Sequence, residues 1–119
     1  MNDYKISELT DMVRNFCEAR EWDQIHNPKD LAIGLPTESN ELLDLFRFKT
    51  DEQMSEMMKN DRSEERISEE LSDVLFFLLR FSQLYGFDLG VGLKNKIVKN
   101  EEKYPLSKAK GANKKYTEF

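Results

Sequence analysis

The chain has 119 residues and a formal net charge of −5, with 18 Lys and Arg against 23 Asp and Glu. This length predicts one domain around one hydrophobic core. Five glycines and three prolines exclude collagen-like, linker-like and proline-rich classes. The single cysteine, Cys17, excludes an internal disulfide bond. Together with a start that lacks the apolar core of a signal peptide, it predicts a cytoplasmic location.

Charge is distributed unevenly along the chain. Residues 1–90 carry 10 basic and 20 acidic side chains, whereas residues 91–119 carry eight lysines and three glutamates. Converging acids suit cations and clustered lysines suit an anion, so this asymmetry favours a site for metal-bound phosphate. A solvated surface with a mobile end is the ordinary alternative.

Two amphipathic helices are predicted in the first half of the chain. Apolar residues recur at helical spacing and indicate a helix over about 4–22. These residues are Ile6, Leu9, Met12, Val13, Phe16 and Cys17. Asn27 is a suitable N-cap and Pro28 a suitable first helical residue, so a second helix is predicted from there to about Phe48.

Pro36 lies inside the second predicted helix. Because proline lacks a backbone N–H group, we expect a kink or break near 34–35. Further along, Thr50 and Gln53 have the spacing of a capping box and predict a short helix over about 51–59.

The second half of the chain predicts two more helices. After a polar linker at 60–63, a strongly apolar pattern continues to Gly86, and a helix this apolar on all sides should be buried. A last helix is predicted from an Asp88 N-cap to about Tyr104. We therefore predict an all-α, four-helix bundle-like fold with one additional short helix. It comprises a catalytic domain over 1–105 and a basic, largely irregular tail over 106–119.

Two pairs of carboxylates point to chemistry. Glu38 and Glu41 are three residues apart on the second helix, and Glu70 and Asp73 are three apart on the apolar helix, so each pair shares one helical face. If the pairs converge, their oxygen ligands suit Mg²⁺, with Mn²⁺ as a possible substitute. Acidic pairs are also ordinary on charged helices, and Asp44 allows other pairings.

A di-iron four-helix bundle also uses inward-facing glutamates. It needs a Glu-x-x-His motif on two helices. This chain has one histidine, His26, and Asp23 precedes it by three residues. The missing Glu-x-x-His motifs therefore argue against a di-iron site.

Several segments resemble one enzyme family. They read REWDQIHNPKDL at 20–31, PTESNELLDLF at 36–46 and EELSDVL at 69–75. In these segments the chain resembles the MazG-like nucleoside triphosphate pyrophosphohydrolases. The ending, NEEKYP at 100–105 and KGANKKYTE at 110–118, is similar to the single-domain dCTP pyrophosphatase branch.

The resemblance implies roles for particular residues. Glu38, Glu41, Glu70 and Asp73 would be metal ligands, and Glu38 or Glu41 would accept the proton from water. Implied base contacts are Trp22, His26, Phe48, Phe77 and Asn100. Implied contacts to triphosphate oxygens are Lys96, Lys103, Tyr104 and Lys110. Phe48 is seven residues after Glu41 and Phe77 is four after Asp73, which predicts a shared helical face for each aromatic and its carboxylate. Phe77 departs from the family pattern, since close relatives often have tyrosine there.

The implied activity is Mg²⁺-dependent hydrolysis of a (deoxy)nucleoside triphosphate to its monophosphate and pyrophosphate. The resemblance favours dCTP or a related deoxynucleotide as the substrate. The reaction would serve to sanitise or balance the nucleotide pool. A non-catalytic helical interaction module is the alternative. The acidic net charge argues against a nucleic-acid partner, and the longest apolar run, 74–79, is too short to span a membrane.

The apolar helix also predicts self-association. Most of the circumference of that helix is covered by Phe76, Phe77, Leu78, Leu79 and Phe81, and four or five helices leave part of this apolar surface without cover. We expect a homo-oligomer, specifically a tetramer built as a dimer of dimers. In the alternative, the short helix with Met54, Met57 and Met58 folds over this surface and leaves a monomer.

Overall fold

The computed structural model describes residues 2–119, and all regular structure within them is helical. The predicted all-α class is confirmed. The chain divides into two compact units, Met1–Gly86 and Phe87–Phe119. The boundary predicted after residue 105 lies inside the second unit and stays a prediction.

Four α-helices and one 3₁₀ turn form the first unit. They are α1 Ile6–Ala19, the turn Trp22–Gln24, α2 Pro28–Phe46, α3 Asp51–Met57 and α4 Asp61–Tyr85. The second unit has α5 Leu89–Lys103, α6 Leu106–Ala109 and a 3₁₀ turn Tyr116–Glu118. The predicted tail 106–119 therefore contains two short helical segments.

Side-chain caps fix the starts of α2, α3, α4 and α5. The side chain of Asn27 accepts a hydrogen bond from the backbone of Asp30 at 2.9 Å. Thr50 and Gln53 form the predicted capping box, with hydrogen bonds of 3.1 and 2.8 Å. Asn60 caps α4, so the predicted linker 60–63 is instead the cap and first turn of that helix. The linker prediction was wrong because capping residues are polar in the same way as loop residues.

Pro36 does not interrupt α2, which runs from Pro28 to Phe46. The reason is packing: Leu31 and Gly34 are buried just before the proline. A Cβ atom on Gly34 would lie 2.4 Å from the ring of Phe77 on α4. This close approach packs α2 against α4 in the turn before Pro36 and offsets the loss of one backbone hydrogen bond.

The core of the first unit lies where α1 and α2 pack on α4. Its buried apolar side chains are Val13, Cys17, Leu31 and Leu79. Within the single chain, α4 is covered only in part. Leu71, Leu75 and Leu78, hereafter the leucine stripe, are 52%, 38% and 40% exposed. Their spacing places them on one face of the helix, and α3 does not cover them.

Within residues 2–119, no single helix is long and apolar enough to cross a membrane; only Asp61–Tyr85 and Leu89–Lys103, taken together as a bent pair, reach the required length and composition.

Candidate functional site

Three glutamates from two helices meet in the first unit. Glu38 and Glu41 lie one turn apart on α2, and Glu70 lies on α4. One carboxylate oxygen from each lies within 4.8 Å of the others. The contact of Gly34 with Phe77 brings the two helices close enough for this to happen. We call Glu38, Glu41 and Glu70 the glutamate cluster.

Asp73 lies beside the glutamate cluster but outside the group of three that shares the 4.8 Å distance. The negative charge of Asp73 nevertheless acts on the cluster and contributes to the raised pKa of both Glu38 and Glu70. The metal-ligand role of all four residues stays a prediction.

Electrostatics in the glutamate cluster are unfavourable without a cation. Burial, followed by the charges of Glu41 and Asp73, raises the pKa of Glu38. Burial also raises the pKa of Glu70, and a charge interaction and a hydrogen bond with Glu41 raise it further. Oε2 of Glu70 is buried and has no hydrogen-bond partner within the described chain.

These features fit a hard divalent cation. The three residues offer oxygen ligands of the kind that Mg²⁺ and Mn²⁺ prefer. A bound cation would compensate the repelling carboxylates and satisfy the orphaned Oε2 of Glu70. The cluster is thus able to bind a metal ion.

Trp22 and His26, two of the implied base contacts, lie together in the connection between α1 and α2. Their rings meet edge to face with centroids 5.7 Å apart. Trp22 also packs against Phe16 of α1 at 5.5 Å. Glu21, with φ 55°, turns the chain sharply before the 3₁₀ turn. Both rings are half-buried, and their contact with a base stays a prediction.

Sequence reasoning missed a buried arginine beside this pair. Arg80 of α4 is fully buried. Its guanidinium donates to Nδ1 of His26 at 2.9 Å, to Oε1 of Gln83 at 2.6 Å and to Oδ1 of Asp23. A signal was present: Arg80 is a charged residue within the most apolar stretch of the chain, and such a residue needs a partner.

The two implied aromatic contacts on the longer helices have different environments. Phe77 is half-buried against Gly34. Phe48 is 90% exposed and adopts φ 62°, with the guanidinium of Arg47 4.9 Å from its ring centroid. The predicted shared face of Phe48 and Glu41 is wrong, because α2 ends at Phe46 and the left-handed backbone turns Phe48 away from the helical repeat.

The remaining implied contacts belong to the second unit. Lys96, Asn100 and Lys103 lie on α5, Tyr104 follows that helix, and Lys110 follows α6. Tyr104 and Lys110 line the same open cavity, of about 560 Å³. The ring of Tyr104 packs edge to face with Tyr116 and Phe119, at 6.1 and 5.8 Å. A role in binding phosphate or base stays a prediction for Lys96, Asn100, Lys103, Tyr104 and Lys110.

Comparison with known proteins agrees with the resemblance in the sequence. The MazG-like family model matches residues 35–119. The chain is 32% identical to human dCTP pyrophosphatase 1 and 30% identical to the protein of that name from Bos taurus. Each alignment covers 96% of this chain, with 67% and 68% of the relatives. A crystal structure of a pyrophosphatase from Archaeoglobus fulgidus superimposes with a TM-score of 0.78 at 32% identity, covering 88% of this chain and 96% of that one. The predicted resemblance is therefore confirmed, and the chain belongs to the MazG-like family.

Proposed function

We propose that this protein hydrolyses dCTP, or a closely related deoxynucleoside triphosphate, to the monophosphate and pyrophosphate with Mg²⁺ held at the glutamate cluster. As a member of the MazG-like family, it is a nucleoside triphosphate pyrophosphohydrolase. The preference for dCTP draws on two relatives that carry dCTP in their names. The observation that carries the proposal is the convergence of three carboxylates around a buried oxygen without a partner.

The cluster residues have two tasks in this reaction. When bound, Mg²⁺ neutralises charge on the triphosphate and lowers the pKa of a coordinated water. Glu70 and Asp73 would hold the metal ion from α4. Glu38 and Glu41 would hold it from α2, and one of these two would accept the proton of the attacking water.

Product analysis tests the reaction directly. The protein is incubated with dCTP and Mg²⁺, and the products are separated by chromatography. We expect dCMP and pyrophosphate. Release of dCDP and orthophosphate would place the cleavage at the wrong phosphoanhydride and would contradict the proposal. A panel of the eight common ribo- and deoxynucleoside triphosphates then ranks the substrates.

Thermal stability separates an enzyme from a non-catalytic interaction module. A ligand that binds only the folded state raises the melting temperature by mass action. We expect Mg²⁺ to raise it and dCTP with Mg²⁺ to raise it further. An interaction module would show no nucleotide-dependent shift.

We also propose that the enzyme acts in the cytoplasm as a homotetramer, in sanitation or balance of the deoxynucleotide pool. The exposed leucine stripe supports self-association. A single cysteine suits a reducing compartment.

A further inference from the structure

Each of the three nitrogens of the buried Arg80 guanidinium has a side-chain partner. Asp23 provides the opposite charge, while Gln83 and His26 accept further hydrogen bonds. Burying a cation is costly unless it is paired and hydrogen-bonded, and Arg80 meets both conditions. The contact with His26 is additional to the ion pair between Arg80 and Asp23.

That contact determines where the imidazole proton lies. An arginine side chain only donates hydrogen bonds, so Nδ1 of His26 must be the acceptor and carries no proton. A neutral ring then has its proton on Nε2. Protonating Nδ1 would remove the acceptor and place a second positive charge against the guanidinium of Arg80.

The charges around His26 favour the same neutral state. Burial lowers the pKa of His26, and the charge of Arg80 on α4 lowers it further. Asp23, in the 3₁₀ turn, opposes them as the smallest of the three influences.

The opposite edge of the ring is available to a ligand. Nε2 of His26 has no hydrogen-bond partner among residues 2–119, and it is not one of their buried unpartnered atoms. It therefore reaches solvent, beside the ring of Trp22. A fixed N–H donor next to an aromatic ring suits a planar ligand that carries a hydrogen-bond acceptor.

We propose that Arg80 is a positioning residue that holds His26 as the neutral Nε2–H tautomer, so that His26 donates to an acceptor atom of the nucleobase. The tautomer follows from the geometry alone, whereas the contact with the base rests on the proposed function.

Nitrogen NMR of the nucleotide-free protein tests the tautomer. His26 is the sole histidine, so its two ring ¹⁵N signals need no assignment by mutation. We expect a pyridine-type Nδ1 and a pyrrole-type Nε2 that persist below pH of about 6.5, the ordinary histidine pKa. Averaged signals in the wild type, or a pyrrole-type Nδ1, would overturn the proposal.

Arg80→Met removes the donors and keeps a long side chain. Asp23 is 49% exposed, so the variant leaves no fully buried carboxylate without a partner. We expect averaged ring ¹⁵N signals and a titration at higher pH than in the wild type, because the charge of Arg80 no longer lowers the pKa of His26. Asp23→Asn keeps Arg80 and should retain the wild-type tautomer. An unchanged tautomer in folded Arg80→Met would refute the role of Arg80, and if that variant does not fold, the wild-type spectrum still decides the tautomer.

Kinetics test the contact with the base. Because one hydrogen bond is worth about 1 kcal/mol, Arg80→Met should raise the KM for dCTP roughly fivefold and change kcat less than about twofold. Base-free 2′-deoxyribose 5′-triphosphate should show no such KM change. Equal KM changes for both substrates would refute the base contact. Absence of turnover by the wild type with either substrate would refute the proposed function and leave the tautomer to the NMR result.

Discussion

At the scale of single residues, the glutamate cluster is an arrangement that is electrostatically unfavourable without a cation. Replacing Glu41 with glutamine removes a predicted metal ligand and one source of the raised pKa of Glu38 and Glu70. We expect Glu41→Gln to lower Mg²⁺-dependent turnover at least about 100-fold, since a metal supplies several kcal/mol of transition-state stabilisation. The melting temperature of the metal-free protein should rise, because the repulsion between the carboxylates falls.

Asp44→Asn is the matched control for that substitution. Asp44 lies three residues after Glu41 on α2, outside the cluster, in an exposed ion pair with Arg47 at 3.8 Å. Such pairs contribute little to stability, so both turnover and melting temperature should stay near the wild-type values. Near-normal activity of Glu41→Gln or Asp73→Asn would show that the metal binds elsewhere.

The raised pKa of Glu70 predicts a specific pH dependence. A carboxyl group with a higher pKa in the folded state binds protons more tightly when folded. Its stabilising contribution is therefore complete below the ordinary glutamate pKa and is lost as the pH rises through the raised value. We expect Glu70→Gln to exceed the wild type in melting temperature at pH 7 without metal, and the difference to shrink toward pH 4.5. Thermal scans in a chelator would measure this, and a constant difference across pH would contradict it.

Excess Mg²⁺ provides the counterpart of that experiment. We expect the cation to bind the ionised cluster of the wild type and so to stabilise it more than Glu70→Gln at pH 7. The order of the two melting temperatures should then reverse. Retention of the same order in Mg²⁺ would argue against a metal at Glu70.

At the scale of helices, local signals in the sequence predicted where several of the helices begin. The N-caps at Asn27 and Asp88 and the capping box at Thr50 depend on residues three apart, so a short segment contains the whole signal. The continuity of α2 through Pro36 depends instead on its packing against α4. No local pattern contains that contact.

The same distinction applies to the candidate site. The spacing of Glu38 and Glu41 placed both on one helical face, but it could not show that Glu70 would join them. Arg80 and Asp23 are 57 residues apart in sequence. The sequence shows an isolated charge, Arg80, in an apolar helix. This indicates that Arg80 needs a partner but does not identify which residue the partner is.

The contact between α2 and α4 predicts the effect of a single methyl group. In Gly34→Ala the new Cβ would meet the Phe77 ring at 2.4 Å, so the ring or the helices must move. Overpacking of this kind costs about 1–3 kcal/mol, and it should also lower turnover because the same contact brings the glutamates together. Denaturant unfolding and dCTP hydrolysis would measure both effects.

Gly92→Ala is the control for that substitution. Gly92 lies within α5, and a Cβ atom there meets nothing within 4 Å. Alanine is the better helix former by about 1 kcal/mol, so this variant should be as stable as the wild type or more stable. Equal destabilisation of the two variants would show that the methyl group at Gly34 is not responsible.

At the scale of the whole molecule, the leucine stripe is the strongest reason to expect self-association. Three leucines on one face of the longest helix remain 38–52% exposed, and contiguous apolar surface of this kind is usually covered by a partner. Because twofold assembly brings the same face of two chains together, one stripe can cover another. This contact would be one of the two kinds of contact in the predicted dimer of dimers, for which light scattering at micromolar concentration should give a mass near four times 14.1 kDa. Leu75→Glu should lower that mass, because it places a charge in the contact, whereas Leu106→Glu, on an exposed residue of α6 outside the stripe, should leave it unchanged. A wild-type mass near 14.1 kDa with full activity would contradict the oligomer, and the leucines would then be an exposed surface of a working monomer.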